Sequence, residues 1–182
     1  MALLTDEFSS NSKTILLNPT KLTSESLMVR PTDRDSTARS TAIHSERLIE
    51  VLKEANRVVY EASRHGLGGR GMGCTAEIVL IDGRNAVIAH VGDSRVYHFR
   101  GNTLSQITKD HTFVARLVEL GHLTPEEAER HPRRAELQQA IGGRAEVVPD
   151  TSVVALEPGD WLLVCSDGLN ILQKETLEGI LR

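Results

Sequence analysis

Apolar residues recur along this chain with two different periods. Between His44 and Arg64, the stretch HSERLIEVLKEANRVVYEASR sets Leu48, Val51, Leu52, Ala55, Val58 and Val59 at helical spacing, the stripe of an amphipathic helix. Ser45 stands where an N-cap is expected, and the glycine-rich run GLGGRGMG is expected to end the helix. After it the period shortens to two. The runs CTAEIVLI, NAVIAHVG, SRVYHFR and TLSQIT are separated only by DGR, GDS and GN. Loops this short cannot connect parallel strands, so the pattern predicts an antiparallel meander. Residues 110–140 return to helical character with FVARLVELG and then TPEEAERH. There Thr124 is the expected cap, Pro125 takes the first helical position, and Glu126 and Glu127 complement the positive helix end. IGGR and EPGD read as turns. TSVVALEPGDWLLVCSDGL predicts a strand, a tight turn and a very apolar strand running into Ser166, Asp167 and Gly168, and QKETLEGILR a last helix. The first 40 residues are rich in Ser, Thr, Asn and Asp, with only TILL and SLMV as apolar pieces. They are expected to form a polar, poorly structured N-terminal segment, leaving residues 41–182 as the packed domain.

Composition narrows the partners. A chain of 182 residues with 40% apolar and 25% charged residues is long enough for one core. Its formal charge of -4 offers no basic footprint, so no nucleic-acid partner is expected. No apolar run approaches the roughly 18 residues of a membrane span, and the start MALLTDEFSSNSK is acidic where a signal peptide needs a basic start and a long apolar stretch. A cytoplasmic protein without a membrane partner is the expectation. Cys74 and Cys165 sit in apolar, strand-like sequence without CxxC spacing. Both are expected to be buried thiols, with neither a disulfide nor a zinc site.

Two acidic turns carry candidate chemistry. Asp93, in GDSR, and Asp167, in SDG, each stand beside a glycine or serine at the end of an apolar strand. A carboxylate held there by a sheet, with a glycine leaving room beside it, can bind a hard cation such as Mn2+ or Mg2+. Asp and Gly are equally the commonest turn formers, so either motif alone also reads as a plain turn. The strands could gather both aspartates at one sheet end, which would give two oxygen donors.

The stretches GMGCTAEIVL, AHVGDSRVYHFRGNTLSQITKDHTFVARLVELGHLTPEEAERHP, AIGG and LEPGDWLLVCSDGL together resemble the bacterial metal-dependent serine/threonine phosphatases of the type 2C (PPM) family, in the same order and with similar separations. The resemblance runs over about residues 41 to 182. It implies an α+β fold, the PPM-type α-β-β-α sandwich of two antiparallel sheets flanked by helices, here truncated, with a flap at about residues 111–134. It also implies a binuclear Mn2+ or Mg2+ site that activates water to hydrolyse phosphoserine and phosphothreonine in proteins, the substrates of a serine/threonine kinase. By this resemblance Asp167 is a metal ligand, and Asp93 corresponds to a third, weaker metal position.

Further upstream, VRPTDRDS (residues 29–36) resembles the family's VRPxNEDS segment, departing from it at Asp33 and Arg34. The match implies Arg30 as a phosphate-gripping arginine and Asp35 as an acid near the metal-bound waters. A solvated polar loop is the other reading. The family's first metal aspartate, in a DGMGG-type motif, has no counterpart before His44, and its last, expected beyond Arg182, is not found. HGLGG at His65–Gly69 is better explained as a helix stop than as a substitute. Missing strands are expected to expose sheet edges and to favour self-association. His90, His98, His111, His122 and His131 show no HxH or HExxH spacing, so structural roles are expected for them. Two functions follow: a phosphatase whose activity is weak or lost in this chain, or a non-catalytic phosphatase-like scaffold that acts as a binding or regulatory module.

Overall fold

The computed structural model describes residues 15–17, 34–66, 71–172 and 174–181. The period-two runs form β2 (Ala76–Asp82), β3 (Asn85–Val91), β4 (Arg95–Arg100) and β5 (Thr103–Gln106), preceded by β1 (Ile15–Leu17) and followed by β6 (Asp150–Ala155) and β7 (Trp161–Cys165). All pairs are antiparallel, but the strands do not form a single meander. They divide into two sheets, ordered β1-β7-β4-β5 and β2-β3-β6.

The division follows from the turns. Gly83 and Arg84 close the β2–β3 hairpin, in which Asp82 faces Asn85. Gly101 and Asn102, both at positive φ (56° and 70°), close β4–β5, as a tight turn matched to the twist of its strands requires. GDS and EPGD instead carry the chain from one sheet to the other. Gly92 is the pivot of the first crossing. Its φ is 120° and a Cβ there would collide with the Thr75 side chain, so no other residue fits. The second crossing is held by Asp160, which is 2% exposed. Its carboxylate accepts from the Arg100 guanidinium at 2.6 Å, from the Glu157 amide at 2.8 Å and pairs with His98 Nε2 at 2.9 Å.

Four layers result. α1 (Arg34–Arg64) covers the outer face of the three-stranded sheet, where Leu52 packs with Ala89, Val91, Ile141 and Val147. The sheets face each other through Val79, Ile81, Ala86, Val154 and Leu162. α4 (Lys174–Leu181) covers the outer face of the other sheet, placing Leu177 and Leu181 against Phe99, Leu104 and Trp161. Two short helices, α2 (Phe113–Glu119) and α3 (Pro125–Arg130), lie on the connection from β5 to β6. Thr124 caps α3 as expected, in a capping box with Glu127.

α1 departs from the expectation. It spans 31 residues and begins at Arg34, well before His44. Ser45 does not cap it but lies inside, its hydroxyl donating back to the Thr41 carbonyl at 3.0 Å. The early turns dock on the β2–β3 hairpin through polar contacts: the Ser40 hydroxyl donates to the Asp82 carboxylate at 2.7 Å, and His44 Nε2 lies 3.5 Å from it. Such contacts leave no apolar period to read. Val51 and Val58, counted in the apolar stripe, point outward, 54% and 52% exposed. A polar residue takes the inner position between them. Asn56 is 1% exposed; its amide nitrogen donates to the Arg144 and Ala145 carbonyls at 3.1 and 3.2 Å, and its oxygen accepts from the Gly142 amide at 2.8 Å. The IGGR turn is thereby fixed to the helix. Cys165 is buried as expected, whereas Cys74 is exposed. Cys74 pairs with Ile141 through backbone hydrogen bonds alone (3.1 and 2.8 Å), which fix its backbone without covering its thiol.

Candidate functional site

Strand register places the chemistry. Along β2, β3 and β6, the positions facing the second sheet include Val79, Ile81, Ala86, Ile88, Ser152 and Val154, and at one end of the same rows Glu77, His90 and Asp150. Glu77 pairs in register with His90, and His90 with Asp150. The layer between the sheets thus changes from apolar to ionisable at a single end. That end also holds the GDS crossing after β3 and the SDG turn after β7.

Asp93 is partly buried in the crossing, and Asp167 is exposed at the start of a short 3-10 helix, Asp167–Ile171. The fold brings the two together. Burial first, and then the negative charges of Asp167 and Asp110, push the Asp93 carboxyl above the ordinary carboxylate range. Asp110 is committed elsewhere. Its carboxylate accepts from Arg95 Nε at 2.9 Å and Nη2 at 2.6 Å, and from Gln106 Nε2 at 3.1 Å. The arginine of GDSR therefore clamps the loop that follows β5. Burial pushes the Glu77 carboxyl up to about 7, partly offset by Ser94, with Asp93 and Asp110 adding to the rise. Its Oε1 has no hydrogen-bond partner.

A carboxylate raised by burial and by neighbouring acids gains from a nearby positive charge, and a divalent cation supplies one. Asp93 and Asp167 fit that role as oxygen donors for Mn2+ or Mg2+. Arg30 lies outside the described residues. Asp35 falls in the first turn of α1, ahead of Ser40, whose contact with Asp82 lies at the hairpin end of β2, opposite Glu77; the fold does not bring Asp35 to Asp93 and Asp167.

Glu77, Asp110 and Asp150 were not singled out by sequence reading. Glu77 left a trace, as the one charged residue in the apolar run CTAEIVLI. His90 and His111 come from distant segments, and no local spacing could join them. The fold sets them 4.5 Å apart between ring centroids, next to Asp150. Burial, and then His111, push His90 down to about 4, so the ring is neutral near pH 7. His98 instead serves the Asp160 network of the second crossing.

The chain matches the protein phosphatase 2C family over residues 24–119, more than half its length, and belongs to that family. It is 49% identical over 100 residues to the protein phosphatase PhpP of Streptococcus pneumoniae, a stretch covering 55% of this chain and 41% of PhpP. It is 36% identical over 151 residues to the serine/threonine phosphatase stp of Listeria monocytogenes serotype 4b, covering 82% and 60% of the two chains. Among solved structures it resembles the S. agalactiae serine/threonine phosphatase, with a TM-score of 0.71 and 38% identity over 77% of this chain and 58% of that one. It also resembles the catalytic domain of the serine threonine protein phosphatase PstP in complex with two manganese ions, with a TM-score of 0.59 and 37% identity over 68% and 51%. The two antiparallel sheets flanked by helices are those of the PPM sandwich, present in part. The chain spans about half the length of these relatives.

Proposed function

We propose that this chain carries part of the catalytic site of a cytoplasmic protein serine/threonine phosphatase, one that uses Mn2+ or Mg2+ to hydrolyse phosphoserine and phosphothreonine in the substrates of a serine/threonine kinase. The observation that carries the reading is the convergence of Asp93 and Asp167 at the ionisable end of the inter-sheet layer, with Asp93 held above its ordinary pKa by the charges around it. Family membership supplies the reaction class. In that reading Asp167 and Asp93 hold metal and Arg30 grips the substrate phosphate. Bound metal would supply a lowered water pKa and neutralisation of phosphoryl oxygens. Asp110 and Arg95 fix the loop beside the aspartates, and Gly92 sets the backbone path that aims Asp93. Residues 111–134 form the flap, braced at its base by Arg133, whose guanidinium lies 3.8 Å from the Phe113 ring centroid. No described helix is long and apolar enough to cross a membrane, which is compatible with this location. Edge strands β2 and β6, with Val153 49% exposed on the latter, are the surfaces for self-association.

The test is hydrolysis of a phosphothreonine peptide by the purified chain with Mn2+, with EDTA, and in Asp167→Asn. Metal-dependent turnover lost in the variant supports the proposal. A folded chain that shows neither metal-dependent turnover nor saturable Mn2+ binding weakened by Asp167→Asn would overturn it.

A further inference from the structure

A second set of donors lies beside the carboxylates and differs from them in chemistry. One ring nitrogen of His90, one of His111 and a carboxylate oxygen of Asp150 all lie within 4.8 Å of one another. His90 is 2% exposed, yet neither of its ring nitrogens has a hydrogen-bond partner, and His111 Nε2 has none either. Buried ring nitrogens are almost always paired, and the two orphaned on His90, beside His111 and Asp150, call for a missing partner. That partner has to accept lone pairs from imidazoles and sit against a carboxylate.

From this juxtaposition we infer that His90, His111 and Asp150 form a site for a divalent transition-metal cation of the Zn2+ class, separate from the oxygen-donor centre of Asp93 and Asp167. Imidazole nitrogens favour Zn2+, Co2+ and Ni2+, whereas Mg2+ and Mn2+ favour oxygen. Two histidines and one aspartate make three protein ligands and leave a fourth position for water. Access runs through Asp150, whose side chain is 54% exposed while that of His111 is 9% exposed. The mainchain is already arranged for the purpose: His90 and Asp150 are register partners across β3 and β6, and the His111 amide donates to the Gly92 carbonyl at 2.8 Å.

Binding requires one proton to move. His111 Nδ1 accepts the Gly92 amide at 3.3 Å, which in the metal-free chain leaves a ring proton on Nε2, facing Asp150 Oδ2 at 3.4 Å. Coordination through Nε2 requires that nitrogen to give up its proton, which Nδ1 can take by exchange with solvent. The Gly92 contact, already at the long end for a hydrogen bond, is given up. The cation would tie the start of β6 and the loop after β5 to the end of β3, next to the crossing that carries Asp93.

The experiment is a calorimetric titration of the untagged chain with Zn2+ in saturating Mg2+, with Co2+ as a spectroscopic probe. One saturable Zn2+ per chain is expected, together with visible d–d absorption from bound Co2+. His90→Asn and Asp150→Asn should each weaken Zn2+ binding by roughly tenfold or more, while Asp167→Asn leaves it unchanged. Asp150→Asn alters a half-exposed group and keeps the test valid should His90→Asn fail to fold. Absence of saturable binding, or binding that both variants leave intact, would overturn the inference. Weakening by Asp167→Asn to the same extent would also overturn it, by showing one shared centre.

Discussion

Glu77→Gln should change how stability depends on pH. In the folded chain the Glu77 carboxyl titrates at about 7, against 4.5 for a free glutamate. Burial is the main cause, and the charges of Asp93 and Asp110 add to it. A carboxyl raised in the folded state binds more protons folded than unfolded between those two values. The Glu77 contribution to stability is therefore fully present below about pH 4.5 and is lost as pH rises toward 7. At roughly 1.4 kcal/mol for each pH unit, the loss reaches up to about 3 kcal/mol. Glutamine keeps the shape and cannot ionise. The variant should match the parent at about pH 4.5 and exceed it by up to about 3 kcal/mol at about pH 8, with a flatter profile between. Urea unfolding in EDTA at several pH values measures this directly, EDTA keeping cations away from the neighbouring aspartates. Parallel profiles for parent and variant would show that Glu77 is solvated or paired in the folded chain, and would refute the reasoning.

Other perturbations follow from the same contacts. Asn56→Ala removes three hydrogen bonds inside the core and strands the Gly142 amide, so chemical denaturation should show a loss of about 3 kcal/mol. Burial raises the Asp160 carboxyl, but Arg100, the Glu157 amide and His98 outweigh it and hold it well below the carboxylate range. Its stabilisation is present above the unfolded value and disappears as the pH falls toward the folded one. Asp160→Asn should therefore cost about 3 kcal/mol at neutral pH and lose most of that penalty in acid, as read by thermal melts. Mn2+ should raise the melting temperature of the parent and do so less in Asp93→Asn, with a larger effect at pH 8 than at pH 5.5, because protonation of the raised carboxyl competes with the cation. An equal shift in the variant would place the ion elsewhere.

Helix and strand identity was legible from period alone over β2 to β5, α3, β7 and α4, and the caps of α3 followed from Thr124 and Pro125. Three features were not. The meander reading failed because GDS looks like any tight turn, and only the collision of a Cβ with Thr75 shows that Gly92 turns the chain into another sheet. The first turns of α1 were hidden because their docking uses Ser40, His44 and Asp82 rather than an apolar stripe. The site itself was half legible. Asp93 and Asp167 announce themselves beside Gly and Ser, but Asp110 and Asp150 look like any loop acid, and His90 and His111 are joined only by the register of β3 and the path of the loop after β5.

Among the described residues, the buried polar atoms without hydrogen-bond partners share one location. Glu77 Oε1, both ring nitrogens of His90 and His111 Nε2 are buried without partners at the same end of the inter-sheet layer, while Asn56 and Asp160, equally buried, are fully satisfied elsewhere. Misfit polar groups scattered through a core would suggest poor packing. Confined to one end, beside Asp93 and Asp167, they form the arrangement expected where cohesion is given up for ligand binding. The electrostatics have the corresponding sign: Glu77 and Asp93 are pushed up and His90 is pushed down, each toward its neutral form. A cation reverses both penalties at once, by pairing with the carboxylates and accepting the imidazole lone pairs. Filling this end should therefore stabilise the chain more than any single substitution within it, whereas cations should leave the Asn56 and Asp160 networks unaffected.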